Sequence, residues 1–572
     1  MKETFEIDEN YQKDISALPR PTDLAAHHQD GADAAMQDAP TPLHPRDLVL
    51  LRLRTLLTTM GNLDPTDTEF FEEFYRPGEV WAVEEALQAA CKQEGLSTPR
   101  QIFQRFLFGS RTAEAHEGIG TDPILPLRGE KSNELRRGLI EVLEKYKGKQ
   151  KPESEEIADR VCQAAGQAAR ESKARLQSSV EQALAASPEG AGPVTVNILR
   201  DQVQLGYGET QHTLNVSHYT KFYQLFSQST LRVLREAEEE ENAALRARAK
   251  ERRKRFGEDK DDKPEETPQM ELEKEGSAGE EKEDRKDGED DGRDSDPWRR
   301  RGMRADRARD EDEKDEEEEE VHGTAWKEMT EKEAELFHKR LFILLQRYNC
   351  VGKSDTAAGG SGFHAALTEQ VFQFLHDKFG IEMECFASPF NAHYGSFCSA
   401  FEDTDRWFGS FGSFFDFSSA AGSYEWNPPY LEDLMEDGAK RLLRLLQESK
   451  EPLSFFIVLP NWEVPPTPSI EMLAGAPFEP FRQADVIQPK GKDQWLDGFQ
   501  HNGRPRHFVA PWDGRIFFVQ NEAGKARWPI DDEKIKLLLR VFQEGYSRES
   551  GEVAPKRKSV FDRLETNPKR KR

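Results

Sequence analysis

The sequence predicts an α/β protein: a doubly wound sheet with an antiparallel edge hairpin, preceded by a mostly helical module. Three observations carry this. Apolar residues recur at helical spacing from Arg46 to residue 236. From Thr330 onward, short β-rich runs alternate with helical ones. Between the two, residues 251–320 hold 31 acidic and 18 basic residues, too much charge for a buried core.

The five segments follow in order. Residues 1–45 are polar, with several Ala, Asp and Pro, and read as a disordered arm. Residues 46–236 form the helical module. Leu48, Leu50, Leu51, Leu53, Leu56 and Leu57 open it, and Phe70, Phe71, Phe74, Trp81, Val83 and Leu87 continue it, with a break expected at Pro77-Gly78. Ile102, Phe103, Phe106, Leu107 and Phe108 follow a start signal at Ser97-Thr98-Pro99. Helices are expected over 132–148, 154–186 and 217–236, with a small β insert of two strands, Pro193–Leu199 and Gln202–Leu205. Residues 237–329 read as a charged disordered linker.

Residues 330–548 form the sheet-bearing core. Phe337, Leu341, Phe342, Leu344, Leu345 and Tyr348 make one buried helix face. The loop Gly359–Gly362 precedes a helix over 364–379. Strands are expected at Ile381–Phe386, Phe414–Phe417, up to Trp426, and at Leu453–Leu459, with a helix over 431–448. His507–Ala510 and Arg515–Val519, either side of Trp512-Asp513-Gly514, read as the edge hairpin. Residues 549–572 form a basic tail. Positions 555–572 carry eight basic and two acidic residues in two clusters, the spacing of a bipartite nuclear-import signal.

Composition excludes several classes. A formal charge of −27 argues against bulk nucleic-acid binding while leaving room for a local basic cleft. No run of 18 apolar residues exists, so no membrane span is expected. The first residues lack the apolar stretch of a secretory signal. Cys91, Cys162, Cys350, Cys385 and Cys398 form no C-x-x-C pair, so neither a metal site nor a disulfide framework is expected.

The motif that carries chemistry is Asn427-Pro428-Pro429-Tyr430, placed between a strand and a helix. Two prolines stiffen the corner and remove two N–H donors. The Asn side-chain carbonyl and a Pro carbonyl can each accept a hydrogen bond from a planar N–H2 group, which draws its lone pair out of conjugation. The Tyr ring stacks on the base that bears the amine. A sulfonium methyl opposite completes an in-line transfer, and the proton leaves after the methyl arrives. Catalysis is then positioning and electrostatics. Enzymes methylating adenine in DNA, adenine in RNA and glutamine amides share this tetrapeptide, so it defines a reaction type and not a substrate.

A wider series surrounds it. Glu384–Asn391 (ECFASPFN) is followed by Phe397–Asp405 (FCSAFEDTD), Phe408-Gly409-Ser410, the corner, Glu451–Phe455 (EPLSF) and Trp462–Pro468 (WEVPPTP). This series resembles the phosphorylated-CTD-interacting factor family, the cap-specific adenosine N6-methyltransferases, over roughly 335–530. The resemblance implies a Rossmann-like methyltransferase core that uses S-adenosyl-L-methionine to methylate N6 of the cap-adjacent 2′-O-methyladenosine of messenger RNA. It implies a catalytic role for Asn427, Pro428, Pro429 and Tyr430, and a donor site at Phe386, Ala387, Ser388 and Asn391 together with Asn427 and Pro428, with Gly409 and Ser410 beside it. It implies substrate contacts at Glu432, Trp462, Glu463, Pro465 and Pro466. The family's Arg-Glu pair in that last loop is Glu463-Val464 here.

A 7-methylguanine is a flat cation, suited to an aromatic face with a carboxylate nearby, and Trp462, Glu432 and Glu463 supply such groups. The triphosphate needs Lys or Arg, for which Arg52, Arg54, Arg136 and Arg137 are candidates. Capped mRNA is the implied partner and the nucleus the implied location. The animal branch opens with a WW domain that binds the phosphorylated tail of RNA polymerase II. No paired-Trp pattern stands in residues 1–130, so the chain is expected to lack an evident WW domain, and docking on that tail stays open. Two alternatives remain: another adenine or amide N-methyltransferase built on the same corner, and a catalytically silent binding scaffold.

Overall fold

The computed structural model describes residues 64–96, 102–116, 122–126, 133–231, 233, 329–352, 365–417, 421–462, 466–491, 494–496, 507–510, 512–544, 546–547 and 552–553. The expected N-terminal arm, nearly all of the charged linker, the Gly359–Gly362 loop and the basic tail apart from residues 552–553 lie outside these.

Helix α1 (Asp67–Gln93) starts at a capping box: Thr66 Oγ1 accepts from Glu69 N at 3.2 Å while Glu69 Oε2 accepts from Thr66 N at 2.8 Å. It does not break at Pro77-Gly78 but runs through. A mid-helix proline costs about 3 kcal/mol. Burial on both sides of it, by Phe70, Phe71, Val80, Val83 and Leu87, keeps one axis. Helices α2 (Ile102–His116), α3 (Asn133–Lys147) and α4 (Lys151–Ala186) follow. Along α4 the buried positions include Ala158, Ala165, Gly166 and Ala169, whose small side chains let a neighbouring helix approach closely.

The β insert has three strands, β1 (Thr195–Ile198), β2 (Gln202–Tyr207) and β3 (Thr210–Asn215), all antiparallel with β2 central. The last was not expected, because its polar run, Thr-Gln-His-Thr-Leu-Asn, buries only Leu214. Helix α5 (Val216–Phe226) continues into a π turn over Ser227–Leu231.

Helix α6 (Glu331–Gly352) opens the C-terminal half of the chain but packs with the helical module. Phe337, Leu341, Phe342 and Tyr348 share one buried cluster with Phe70, Phe222 and Phe226, and Phe342 stacks on Phe70 at 5.6 Å. The fully buried Arg347 donates to both oxygens of Glu73 on α1 and both of Asp403. The two halves therefore share a core.

The remaining elements are β4 (Ala366–Leu367), α7 (Glu369–Phe379), β5 (Met383–Ala387), β6 (Phe397–Ser399), α8 (Glu402–Asp405), β7 (Gly422–Trp426), α9 (Glu432–Glu448), β8 (Leu453–Pro460), α10 (Pro468–Ala474), β9 (Arg482–Gln488), β10 (Gln494–Leu496), β11 (His507–Val509), β12 (Gly514–Gln520), α11 (Glu522–Arg527), α12 (Asp532–Glu544) and the short pair β13 (Tyr546–Ser547) and β14 (Glu552–Val553). The central sheet has the order β6-β5-β7-β8-β12-β9. Strands β6, β5, β7 and β8 are parallel, and β12 runs antiparallel to both its neighbours. Strand β8 is buried along its whole length, as a strand covered on both faces must be. Met383, Cys385, Tyr424, Trp426, Phe455 and Ile457 face α9. Phe456, Val458 and Phe518 lie with α7 and α12.

Two expectations fail here. The runs His507–Ala510 and Arg515–Val519 do not pair as an edge hairpin: β12 lies inside the sheet, antiparallel to the edge strand β9, and β11 pairs with β10 in a separate small sheet with β4. The reason is burial. Ile516, Phe517, Phe518 and Val519 fill both faces of β12, which suits an interior position, whereas β9 alternates and takes the edge. Phe414–Phe417 is a turn rather than a strand, closed by Asp416 N to Ser413 O and Phe417 N to Phe414 O. Its aromatic run is a plug: Phe414 and Phe417 are buried against the sheet. All five cysteines are free and buried. Among the described residues no helix is long and apolar enough to cross a membrane.

Candidate active site

Chain order and sheet order diverge at one place. From β5 the chain goes to β6 on one side, then returns to place β7 on the other. Such a reversal opens a crevice beyond the carboxyl ends of the two strands. The corner Asn427–Tyr430 leaves the carboxyl end of β7, and Phe386–Asn391 leaves that of β5. The two expected sets, one for the amine and one for the donor, are brought together. Phe386 lies 5.9 Å from Trp426, the residue before Asn427, and 5.2 Å from Phe414.

The corner is not sealed by other side chains. Pro428 is buried, while Asn427, Pro429 and Tyr430 are half-buried. Leu431 N donates to Pro429 O at 2.8 Å, so the chain doubles back at once into α9. The Tyr430 hydroxyl donates to Asn427 Oδ1 at 3.2 Å. Behind the corner, Trp426 packs so closely on Gly438 of α9 that a Cβ there would stand 2.5 Å from the indole.

Tyr430 has two indole neighbours. Trp462 lies 6.4 Å away at 80°, and Trp512 lies 6.1 Å away at 89°. Both edge-on contacts fix the Tyr ring. Trp462 follows β8. Trp512 precedes β12, whose antiparallel direction brings its amino end to the carboxyl end of β8, with Gly514 opposite Pro460. Asn461 N donates to Asp513 O at 2.7 Å, and Lys490 N to Asp513 Oδ1 at 2.7 Å, tying these loops together. Sequence reasoning missed Trp512 as a site residue. The signal was the Trp-Asp-Gly turn, assigned instead to a hairpin.

The turn after β5 has no glycine. Ser388 N and Oγ both donate to Asn391 Oδ1, at 2.8 and 2.7 Å, and Ala392 N to Ser388 O at 2.9 Å. An Asn side chain thus closes the turn that glycines shape elsewhere. Gly409 lies beside β6 at φ +99°, where an added Cβ would meet Gly395 O at 2.8 Å, and Ser410 bonds Ser399 side chain to side chain at 2.7 Å.

Beneath both segments lies an unexpected pair. Glu384 and Glu425 are opposite each other on β5 and β7, and both are buried. Glu384 Oε2 accepts from His393 N at 2.7 Å and Tyr394 N at 3.0 Å. Burial pushes both carboxyls up, Glu425 further because it also faces the charge of Glu384. From the helical module, Lys221 Nζ donates to Phe390 O at 2.9 Å, and enclosure pulls its ammonium down to about 8.

The expected substrate-side residues are spread unevenly. Glu432 is held by Arg137, Nη1 to Oε2 at 2.9 Å, and the same guanidinium reaches Asp433 Oδ1 at 2.5 Å. Arg136 turns to Asp159 at 2.6 Å. Pro466 is exposed. Glu463, Pro465, Arg52 and Arg54 lie outside the described residues. No group of three or more His, Cys, Asp or Glu among the described residues could hold a metal ion.

Fold and site together define an α/β protein with a helical N-terminal part and a candidate ligand crevice beside an Asn-Pro-Pro-Tyr corner. A family model described as the Phosphorylated CTD interacting factor 1 WW domain matches residues 322–498. The expectation of no evident WW domain is thereby overturned. That reading sought paired Trp in residues 1–130, whereas the match lies on the segment from α6 to β10. The chain is 37% identical over 223 residues to the human protein named mRNA (2′-O-methyladenosine-N(6)-)-methyltransferase, covering 38% of this chain and 31% of that protein. It is 35% identical over 215 residues to the mouse protein of the same name, covering 37% and 30%. The matched span is thus about three tenths of each relative's length.

Proposed function

We propose that this chain is an S-adenosylmethionine-dependent methyltransferase acting on N6 of the 2′-O-methyladenosine next to the cap of messenger RNA. The single observation that carries the reading is the half-exposed Asn427–Tyr430 corner at the carboxyl end of β7, beside the β5 turn. The names of the human and mouse relatives support the substrate. The parallel run β6-β5-β7-β8, with antiparallel β12 between β8 and β9, supports the Rossmann-like methyltransferase core.

Bound S-adenosylmethionine supplies an electrophilic methyl group. The residues of the chain do the rest. Asn427 Oδ1 and the Pro428 carbonyl accept from the adenine N–H2, turning its lone pair out of the ring plane. Tyr430 offers its face to the base, and Trp462 and Trp512 keep that ring from turning. Phe386, Ala387, Ser388 and Asn391 would line the donor side, with Phe386 lying 5.9 Å from Trp426 next to the corner. The contribution of the Asn427 and Pro428 acceptors is electrostatic: partners fixed in advance where charge develops in the transition state need no reorganisation during the reaction.

Capped mRNA is the partner in this reading. Docking on the phosphorylated polymerase tail is supported by the name of the matched family, a phosphorylated CTD interacting factor. Nuclear location is supported by the basic clusters Lys556–Lys558 and Lys569–Arg572.

The test is mass spectrometry of cap dinucleotides after reaction of wild type and Asn427→Ala with capped and uncapped RNA. Wild type should produce N6,2′-O-dimethyladenosine from capped RNA only, and the variant none with its fold retained. Equal turnover of uncapped RNA would instead support a general adenine methyltransferase, and a donor-binding protein without turnover would support a scaffold.

A further inference from the structure

Helix α9 begins directly after the corner, yet its own sequence supplies no cap. The N-cap position is Leu431, whose side chain makes no capping hydrogen bond. Helix starts normally use Ser, Thr, Asp or Asn there, whose side chain accepts from the second or third amide of the helix. Here the second amide, Asp433 N, donates to Glu134 Oε1 at 2.8 Å. Glu134 belongs to α3 of the helical module, 299 residues away in the chain, and its side chain is 2% exposed.

The carboxylate is held in place. Arg137 Nη1 lies 3.8 Å from Glu134 Oε1, and Arg105 Nη1 lies 4.0 Å from Oε2. Arg137 also binds the side chains of Glu432 and Asp433. The positive end of the α9 dipole adds to the attraction. The corner is coupled rigidly to this first turn: Leu431 N bonds Pro429 O at 2.8 Å, and Met435 N bonds Leu431 O at 2.9 Å.

We propose that Glu134 is a positioning residue for the Asn427–Tyr430 corner, supplying from the helical module the N-cap that α9 lacks. The proposal rests on the reading of that corner as the amine-holding site. It makes the helical module part of the site's geometry: with the cap absent, the first turn of α9 frays and Asn427 and Pro428 lose their register with the donor side. A charge-only role is distinct from this, because a glutamine at 134 retains the accepting carbonyl and loses the charge.

The experiment uses the full chain as wild type, Glu134→Ala and Glu134→Gln. Hydrogen exchange of the amides at 432–434 is followed beside those of β8, together with kcat and KM on RNA capped at 2′-O-methyladenosine and S-adenosylmethionine affinity by calorimetry. Glu134→Ala should exchange about fivefold faster at Asp433, the shift a lost N-cap typically brings. β8 and donor affinity should be unchanged and kcat lowered. Glu134→Gln should restore both the exchange and kcat. Wild-type exchange at Asp433 in Glu134→Ala overturns the proposal, and so does an unchanged kcat. If β8 also exchanges faster in that variant, Glu134→Gln decides. Values near wild type then support the cap, and values as poor as alanine overturn it. Failure of the wild type to methylate capped RNA counts against the proposed reaction, whereas Asp433 exchange reports on the cap alone.

Discussion

The Tyr430 hydroxyl donates to Asn427 Oδ1 at 3.2 Å, joining the last residue of the corner to the first. An amide oxygen has two lone pairs. This bond occupies one, orients the oxygen, and leaves the other for an incoming amine. The separation is long for an O–H···O bond, so Tyr430→Phe should cost less than about 1 kcal/mol, keeping kcat/KM within about fivefold. Tyr430→Ala removes the ring as well and should lose about 1–3 kcal/mol of base stacking. Steady-state kinetics on capped RNA compares them, and a Phe variant as poor as Ala would show that the hydroxyl matters more than the ring.

Gly438 and Trp426 set the depth of the corner. A methyl at 438 would stand 2.5 Å from Trp426 Cζ2, and the indole is fully buried. Overpacking of this kind costs about 1–3 kcal/mol. Gly438→Ala should therefore lower the urea midpoint and reduce turnover, because the displaced Trp426 adjoins Asn427. An unchanged midpoint would mean that the indole has room to move.

Asp405 ties α8 to α6. It accepts from the Tyr348 hydroxyl at 2.6 Å and from Thr404 Oγ1 at 3.0 Å, and burial pushes its carboxyl up from 3.8 to about 7. Between those values the folded chain binds the proton that the unfolded chain has lost. This group's contribution is full below 3.8 and is lost as pH rises toward 7. Asparagine cannot titrate, so the stability of Asp405→Asn relative to wild type should rise between pH ~4 and ~8. Urea denaturation across that range measures it, and a flat difference would refute the argument.

Arg347 is 1% exposed and binds Glu73 and Asp403, each through both carboxylate oxygens. Arg76 shares Glu73 at 2.7 Å. Removing one partner of a buried ion cluster costs about 3–5 kcal/mol. Asp403 is partly exposed and Glu73 retains Arg76, so Arg347→Met should fall near the lower end. Arg347→Lys should also be destabilised, because an ammonium cannot match two forked carboxylates. Equilibrium unfolding checks both.

Much of the site's backbone could be read from residues alone. The uninterrupted apolar run of β8, the double proline of the corner and the periodic stripe of α9 are local signals, each specified within a dozen residues. By contrast, α1 continues through Pro77 because apolar residues of the helix before and after it, Phe70 and Phe71, then Val80, Val83 and Leu87, are buried in the shared core. Phe414–Phe417 is rich in aromatic residues yet forms a turn, since its rings plug the sheet from outside.

The amino-acid order alone determined the long helices α4, α6 and α9, the strands β5 and β8, and that a stiff double-proline corner joins β7 to α9. Tertiary structure alone decided that β12 lies between β8 and β9, that Trp512 flanks Tyr430, and that Glu134 caps a helix 299 residues further on. Short-range patterns follow from backbone periodicity and steric rules. Strand partners and trans contacts depend instead on which apolar faces find each other once the whole chain is compact.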